Sequence, residues 1–227
     1  KFNQDISNWD VSNVTNMSYM FKGHSTTAFN NDIGNWNTSN VTNMSSMFEY
    51  SSEFNKRIGE KEVDFSSDGF EKYTAWNTSN VTNMESMFMN AVKFNNGSVD
   101  ASGNSSSDPQ HPLILDFTNC TTMNRMFYQS RNFNSLIDNW KNTGNVNNAY
   151  EMFLGASNFN QEIRTWDVSS MFTSGSTSST TNMFNGATAF LSKYNISTTN
   201  PQLVFWANWE FYDSTAEDLP WSDEDVR

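Results

Sequence analysis

One phrase occurs three times in the sequence: WDVSNVTNMSYMF at residues 9–21, WNTSNVTNMSSMF at 36–48 and WNTSNVTNMESMF at 76–88. Such repetition is typical of proteins in which a structural unit stacks on copies of itself, because one unit cannot bury its own apolar face. The underlying period is about 26 residues, with insertions. Aligned on a recurrent phenylalanine, the repeats, numbered 1 to 7, begin at Phe2, Phe29, Phe54, Phe94, Phe133, Phe159 and Phe190.

Each repeat places apolar residues in the same slots. Trp9 and Val11 alternate as strand residues do, whereas Val14, Met17 and Met20 recur at helical or 3-10 spacing. The outline I-x-x-W-x-V-x-x-V matches that of a leucine-rich repeat. We therefore predict an α/β solenoid, a leucine-rich-repeat-like right-handed coil with short parallel strands on one face and short helical or 3-10 segments on the other.

The same slots predict the core. Ten of the twelve methionines and five tryptophans fall in them, and so does the single cysteine. We expect the methionines to fill irregular gaps in the core and the cysteine to act as a small buried apolar residue. The slot tryptophans are Trp9, Trp36, Trp76, Trp140 and Trp166, and the cysteine is Cys120.

The chain divides into a repeat region and a different C-terminal segment. We predict a solenoid of about six coils over residues 1–196, with insertions near 59–75, 97–112 and 171–181, followed by an aromatic-rich cap at 197–227. The chain opens inside a repeat, without an initiator methionine or a signal peptide, so we expect it to be a piece of something longer. No matching cap precedes the first coil, which predicts an open N-terminal end.

Composition excludes several functions. With Lys+Arg 13 against Asp+Glu 25, the net charge is −12, which disfavours nucleic acid as a partner. One cysteine permits no intrachain disulfide framework, and no apolar run approaches the roughly 20 residues of a membrane helix. The chain has two histidines and lacks the G-x-S-x-G and Gly-rich phosphate motifs, so we predict no enzyme, no cofactor and no metal site.

The stretch FNQDISNWDVSNVTNMSYMF, residues 2–21, resembles the repeat of bacterial surface proteins and mycoplasma-type surface lipoproteins, a divergent relative of the BspA-like leucine-rich repeats. The resemblance is strongest over residues 2–48 and 76–94 and extends over 115–172. It implies an extracellular, surface-attached leucine-rich solenoid used for adhesion or partner binding. It implies no catalytic residue.

Polar residues lie between the inward Trp and Val slots and are predicted to point outward from successive strands. We predict that they line a shallow groove that hydrogen-bonds a glycan or a protein strand; the alternative is a sheet face that only contacts water. These candidate ligand-binding residues are Asp10, Asn37, Asn77, Asp116 and Asp167.

Two long insertions leave the repeat at the same point, just before the predicted strand. Insertions on one face of a solenoid often form its binding face, which predicts a partner-binding lip; a tolerated surface insertion is the alternative. The first insertion carries Phe65, Phe70 and Tyr73 among acidic residues, which we add to the ligand-binding candidates. Those acidic residues lack the spacing of an EF-hand loop.

Three Asn-x-Ser/Thr sequons lie outside the regular asparagine positions of the repeat. In a host that glycosylates, we predict the acceptors to be Asn96, Asn104 and Asn195.

Two hypotheses for function follow. In the first, the chain is a secreted, cell-surface repeat protein that mediates adhesion by binding a protein or glycan of a host or neighbouring cell. In the second, it is a structural subunit that self-associates through the uncapped N-terminal coil, end to end, into a filament, a surface layer or a virion component. A mass that grows with concentration favours the second hypothesis.

Overall fold

Little of the described part of the chain is regular secondary structure. The computed structural model describes residues 2–23, 29–64, 66–68, 71–100, 104, 106, 111–172 and 177–195. The predicted cap lies outside these residues. In the described part, no helix has the length and apolarity that a membrane crossing requires. The strands are β1, Lys61–Val63, and β2, Tyr73–Ala75; α1 is Thr188–Lys193; 3-10 helices span Ser66–Asp68, Thr143–Asn145, Ser169–Phe172 and Thr177–Thr180.

Successive repeats pair with each other in parallel. Most of the pairing is a series of single bridges at one slot, the second asparagine of the SNVTN phrase, and one further bridge joins Asp116 to Lys141. Each residue of this series bridges to its counterpart in the next repeat, so that the same row crosses five repeats. The bridged residues are Asn16, Asn43, Asn83, Thr122 and Asn148.

The segment after each bridge is a run of turns. Its backbone N–H groups donate alternately to carbonyls of the next repeat and to carbonyls of the same turn. In repeat 2, the N–H groups of Ser46 and Phe48 donate to carbonyls of repeat 3, at 2.8 Å each. The intervening N–H of Met47 donates to the carbonyl of Met44 in its own turn, at 3.2 Å. Ser46 has a φ of 55°, and non-glycine residues in equivalent positions of other repeats share this left-handed conformation. The inter-repeat bonds offset the cost of about 1–2 kcal/mol for each such residue.

This geometry differs from the prediction in two respects. The slots from Met17 to Phe21 were expected to be helical or 3-10, but every second donor leaves the turn for the next repeat, so no helix forms there. The strand was expected at the slots of Trp9 and Val11, where in the described residues a single bridge joins Asp116 to Lys141, whereas the row of parallel bridges lies at the slot of Asn16. The methionine spacing fits both a helix and this run of turns, so side-chain periodicity alone does not distinguish them.

Two columns of phenylalanine rings run through the core. Within a column, the ring centroids of successive repeats are 5.4–6.1 Å apart. Between the columns, the paired rings are 3.7–4.8 Å apart and nearly parallel. Each such pair contributes about 0.5–1.5 kcal/mol beyond the burial of its area. One column consists of the phenylalanines that begin the repeats; the other is Phe21, Phe48, Phe88, Phe127, Phe153 and Phe184.

A ladder of asparagines follows the first phenylalanine column. In each Phe-Asn pair, the side-chain Oδ1 accepts the backbone N–H of the corresponding asparagine in the next repeat, at 2.8–2.9 Å. A backbone donor beside a buried ring has no water to bond, so the amide supplies the acceptor it needs. The ladder runs through Asn3, Asn30, Asn55, Asn95, Asn134 and Asn160.

A second set of asparagines joins repeats at the turn before the bridge. The Nδ2 groups of Asn40, Asn80 and Asn119 donate to carbonyls of Ser12, Ser39 and Ser79 in the preceding repeats, at 2.7–2.8 Å. These contacts give the SNVTN asparagines a structural role between repeats.

The slot tryptophans bond backward along the stack. Each indole Nε1 donates to a carbonyl of the preceding repeat: Trp36 to Ile6 at 3.2 Å, and Trp76 to Ile33 at 2.9 Å. Trp140 and Trp166 make the equivalent bond, and all four are buried. Trp9 lies in the first described repeat, where no carbonyl of a preceding repeat accepts its indole N–H, and 55% of its surface is exposed. In this chain Trp9 is therefore not the core residue that was predicted.

The first insertion forms an antiparallel hairpin of β1 and β2, in which Val63 pairs with Tyr73. The hairpin is anchored to the repeats at three points. Val63 is buried, the Tyr73 hydroxyl donates to the Asn35 carbonyl at 2.6 Å, and the Glu60 carboxylate lies 2.6 Å from the Lys141 ammonium. The hairpin is therefore part of the packed structure and places Tyr73 against repeat 2.

We predict that Trp36→Ala lowers the free energy of unfolding by about 3–5 kcal/mol, because it removes a buried indole and leaves a cavity. The matched control is Trp9→Ala, which removes the same side chain from an exposed position and is expected to cost less than about 1 kcal/mol. Chemical denaturation measures both changes. Equal destabilisation by the two variants contradicts the assignment of these slots.

We predict that Asn55→Ala costs about 2–4 kcal/mol. The Asn55 Oδ1 accepts the N–H groups of Asn95 at 2.8 Å and Gly97 at 2.9 Å, and both donors lose their partner in the variant. Asn31→Ala is the control, because Asn31 makes its amide bonds at a half-buried position and should cost about 1 kcal/mol. Denaturant unfolding of the two variants tests the ladder, which an unchanged Asn55→Ala midpoint would refute.

Candidate ligand-binding site

The predicted outward row is present, but its members hold turns. In each, the side-chain oxygen accepts the backbone N–H of the residue two positions later, at 2.8–3.2 Å. This Asx turn is a local alternative to strand pairing. Asp10 and Asp167 are exposed, and the other three are half-buried. The turn-holding residues are Asp10, Asn37, Asn77, Asp116 and Asp167.

The turns also set the charge state of the row. The hydroxyl and backbone N–H of Ser12 stabilise the ionised form of Asp10 and lower the pKa of its carboxyl. Ser169 lowers the pKa of Asp167 in the same way. Both aspartates therefore carry a full negative charge at neutral pH.

One end of the row opens into a cleft of about 500 Å³, which we call the Trp9 cleft. It lies between repeats 1 and 2, and the hairpin closes one side. Its floor and walls come from three separate parts of the chain. The lining residues are Ser7, Asn8, Trp9, Asp10, Val11, Ser12, Asn35, Asn37, Glu71 and Tyr73.

The Trp9 cleft brings together three of the predicted ligand-binding residues, Asp10, Asn37 and Tyr73. Asn77 and Asp116 do not line it. Asp167 lines a different cleft, and Phe65 and Phe70 lie outside the described residues. Sequence reasoning missed Trp9, because its slot predicts burial.

Tyr73 is fixed in the wall of the cleft. Its hydroxyl donates to the Asn35 carbonyl, and burial followed by the negative charge of Asp10 raises the pKa of the phenol. Asp10 and Tyr73 line the same cleft. The lining set contains two carboxylates, Asp10 and Glu71, and neither lysine nor arginine.

An equivalent cleft of about 450 Å³ lies between repeats 5 and 6. Asp167 occupies the slot of Asn37 there, and Trp140 occupies the slot of Trp9. Trp140 is only 5% exposed, and its ring stacks on that of Trp166 with centroids 4.8 Å apart. This second cleft therefore has the polar rim of the Trp9 cleft without an exposed aromatic ring.

The family model described as "Mycoplasma protein of unknown function, DUF285" matches residues 1–68, 65–107 and 114–218. The chain belongs to this family. Successive matches to the DUF285 model agree with the repeats read from the sequence. Neither the comparison with curated proteins nor that with solved structures gives a match.

The sequon asparagines differ in exposure. Asn96 is fully buried; its Oδ1 accepts the N–H of Ile58 at 2.7 Å, and its Nδ2 donates to the carbonyl of Pro112 at 2.8 Å. The folded chain does not present this amide to a transferase, which corrects the prediction for Asn96. Asn104 and Asn195 are exposed and stay predicted acceptors.

Groups of three or more side chains able to hold a metal ion do not occur in the described part of the chain. Cys120 is fully buried, as predicted, and occupies a slot that valine fills in other repeats. Burial raises the pKa of its thiol to about 11. It is a core residue with little thiolate at neutral pH.

We predict that the Cys120 thiol of the folded protein reacts slowly with a disulfide reagent such as DTNB. At pH 8, raising the pKa from 9.0 to about 11 lowers the thiolate fraction roughly a hundredfold, and burial slows access further. Absorbance measures the rate in buffer and in denaturant, and the chain has no second cysteine to confuse the signal. Equal rates in the two solutions would show that Cys120 is not core.

Proposed function

We propose that this DUF285 chain is a non-enzymatic, extracellular surface protein that mediates adhesion by binding a partner on a host or neighbouring cell in the Trp9 cleft. The observation that carries the proposal is the cleft of about 500 Å³ itself, because it brings Asp10 and Asn37 of the polar row together with Tyr73 of the hairpin. Tyrosine beside polar groups is a typical centre of binding energy in protein interfaces. The hairpin is the first of the two long insertions, and we propose that it forms the partner-binding lip.

We further propose that the repeats wind as a right-handed, leucine-rich-repeat-like solenoid of the BspA-like class. The row of parallel bridges, the columns of stacked rings and the asparagine ladder support this, because each joins one repeat to the next at a constant slot. Only side chains that break the slot pattern are then available for a specific partner.

The titratable groups of the cleft favour binding over catalysis. Asp10 has a lowered pKa, whereas a general acid at neutral pH needs a raised one. The Tyr73 hydroxyl is committed to the Asn35 carbonyl, which leaves it poorly placed to transfer a proton.

We predict that Tyr73→Ala reduces binding by roughly thirtyfold or more, the effect of losing a hot-spot residue of about 2 kcal/mol. The test is a screen of the full chain on arrays of neutral, acidic and amine-bearing glycans and on panels of peptides of differing charge. Tyr19→Ala is the matched control, because Tyr19 is 58% exposed but does not line the cleft. Equal loss in both variants, or no loss in either, refutes the proposal.

Two further measurements on the same samples sharpen the result. Deletion of residues 60–73 removes Glu71 and Tyr73 from the cleft and should weaken binding while the unfolding transition stays cooperative. Light scattering across a concentration range tests the structural-subunit hypothesis, in which the mass grows with concentration. A constant mass with Tyr73-dependent binding favours adhesion.

A further inference from the structure

Repeat 5 departs from the slot pattern where it lines the second cleft, the one between repeats 5 and 6. Residues 140–146 contain one residue more than residues 36–41, which span the same slots in repeat 2. The additional residue, Asn142, has a left-handed backbone with a φ of 58°, and the 3-10 helix Thr143–Asn145 follows it. All four of these residues line the cleft, so the insertion shapes one of its walls.

The hydroxyl of Thr143 lacks a partner that its counterparts have. In repeats 2 and 3, the threonine three positions before the slot valine donates its hydroxyl to a backbone carbonyl of the next repeat, at 2.9 Å in both cases. Thr143 has the same place in repeat 5 and is 3% exposed, but its hydroxyl makes no hydrogen bond within the described chain. Fully buried side-chain oxygens in the described residues all have partners, so this hydroxyl reaches the space that Thr143 lines, the second cleft.

The second cleft also holds the Asp167 carboxylate against the backbone of repeat 5. Position 144 is glycine, whereas the same slot is serine or threonine in repeats 1 to 4 and in repeat 6. A Cβ on Gly144 would lie 2.4 Å from Oδ2 of Asp167, which is closer than two such atoms can approach. Glycine therefore lets the carboxylate lie beside the wall that carries Thr143.

The polar groups of the second cleft suit a ligand that both donates and accepts hydrogen bonds. The Asp167 carboxylate only accepts, and it offers about four acceptor positions, of which the Ser169 N–H takes one at 3.0 Å. The Nδ2 of Asn145 donates to the Thr118 carbonyl at 2.6 Å, which leaves the amide oxygen and one N–H for a ligand. The Thr143 O–H is a donor that needs an acceptor.

These groups distinguish three classes of ligand. An anion is repelled by Asp167, and the lining contains neither lysine nor arginine to hold it. An ammonium has donors only, so it would cover the Thr143 O–H without accepting from it, which costs free energy. Sugar hydroxyls donate and accept, and a cleft of about 450 Å³ lies within the range of about 300–1,000 Å³ that small ligands occupy.

We infer that the second cleft binds a neutral sugar residue of a glycan, whose hydroxyls donate to the Asp167 carboxylate and accept the O–H of Thr143. This site is separate from the Trp9 cleft and does not depend on the proposed function. A basic ligand, which the carboxylate attracts, is the competing occupant.

The test uses the methyl glycosides of glucose, galactose, mannose and N-acetylglucosamine, with 1,4-diaminobutane as the basic competitor. Saturation-transfer NMR on the full chain follows binding up to about 20 mM, because one sugar residue gives only millimolar affinity. We expect at least one glycoside to bind and 1,4-diaminobutane to bind more weakly than that glycoside.

Asp167→Asn removes the charge from the second cleft. Asparagine holds the same turn at Asn37 and Asn77, so the variant keeps the backbone and loses only the carboxylate. We expect the glycoside to bind roughly tenfold more weakly, the effect of losing hydrogen bonds to a charged group. Asp10→Asn, the same change in the Trp9 cleft, is the matched control and should leave binding unchanged.

Thr143→Val removes the unpartnered hydroxyl and keeps the shape of the side chain. We expect glycoside binding to weaken severalfold, while the denaturation midpoint does not fall, because the folded chain loses no hydrogen bond. Thr38→Val is the control: it loses the bond to the Asn77 carbonyl, so its midpoint should fall while glycoside binding stays the same. Equal falls in the two midpoints would show that Thr143 has a partner within the chain.

Each outcome decides the inference. Binding of a glycoside that weakens in Asp167→Asn and Thr143→Val and is kept in Asp10→Asn supports it. Absence of glycoside binding, tighter binding of 1,4-diaminobutane, or binding that neither variant of the second cleft weakens overturns it. Binding that is lost in Asp10→Asn alone assigns the sugar to the Trp9 cleft, which overturns this inference and leaves the proposed function standing.

Discussion

The stack depends on backbone N–H groups that find their acceptors in the next repeat. In the turn run of repeat 2, the donors of Ser46 and Phe48 leave their own turn, and the intervening donor of Met47 closes it. Neither set alone would hold a segment whose residues adopt left-handed conformations. Side-chain amides supply further acceptors between repeats. The Oδ1 of Asn55, for example, accepts the backbone N–H groups of Asn95 and Gly97. A repeat is therefore complete only when it has a neighbour.

The apolar slots of the sequence predict the core well, because a side chain that recurs at each period meets the same surroundings in each repeat. They predict the backbone less well. The Trp-x-Val alternation indicates a strand, yet the continuous row of bridges lies at the slot of Asn43. The Asx turn does not distinguish the two slots, because Asn37 and Asn43 each accept the backbone N–H of the residue two positions later. Periodicity reports which side chains are buried and does not fix where the repeats pair.

The candidate site, too, was only partly predictable from the sequence. Asp10, Asn37 and Tyr73 were predictable as polar or insertion residues outside the core slots. Trp9 was not predictable, because the same slot is buried in the later repeats of the described stack. There the preceding repeat accepts the indole N–H, as the Ile6 carbonyl does for Trp36. The contact between the hairpin and Asn35 joins residues 38 positions apart, and no local pattern encodes it.

Comparison of the two clefts shows where specificity arises in a repetitive chain. Asp10 and Asp167 hold the same turn, carry the same charge and border clefts of similar size. They differ in what lies beside them: an exposed indole and a hairpin in one case, two stacked and buried indoles in the other. Repetition thus supplies a uniform polar rim, which by itself distinguishes no ligand. Recognition has to come from departures from the repeat, and at the Trp9 cleft the hairpin insertion is such a departure.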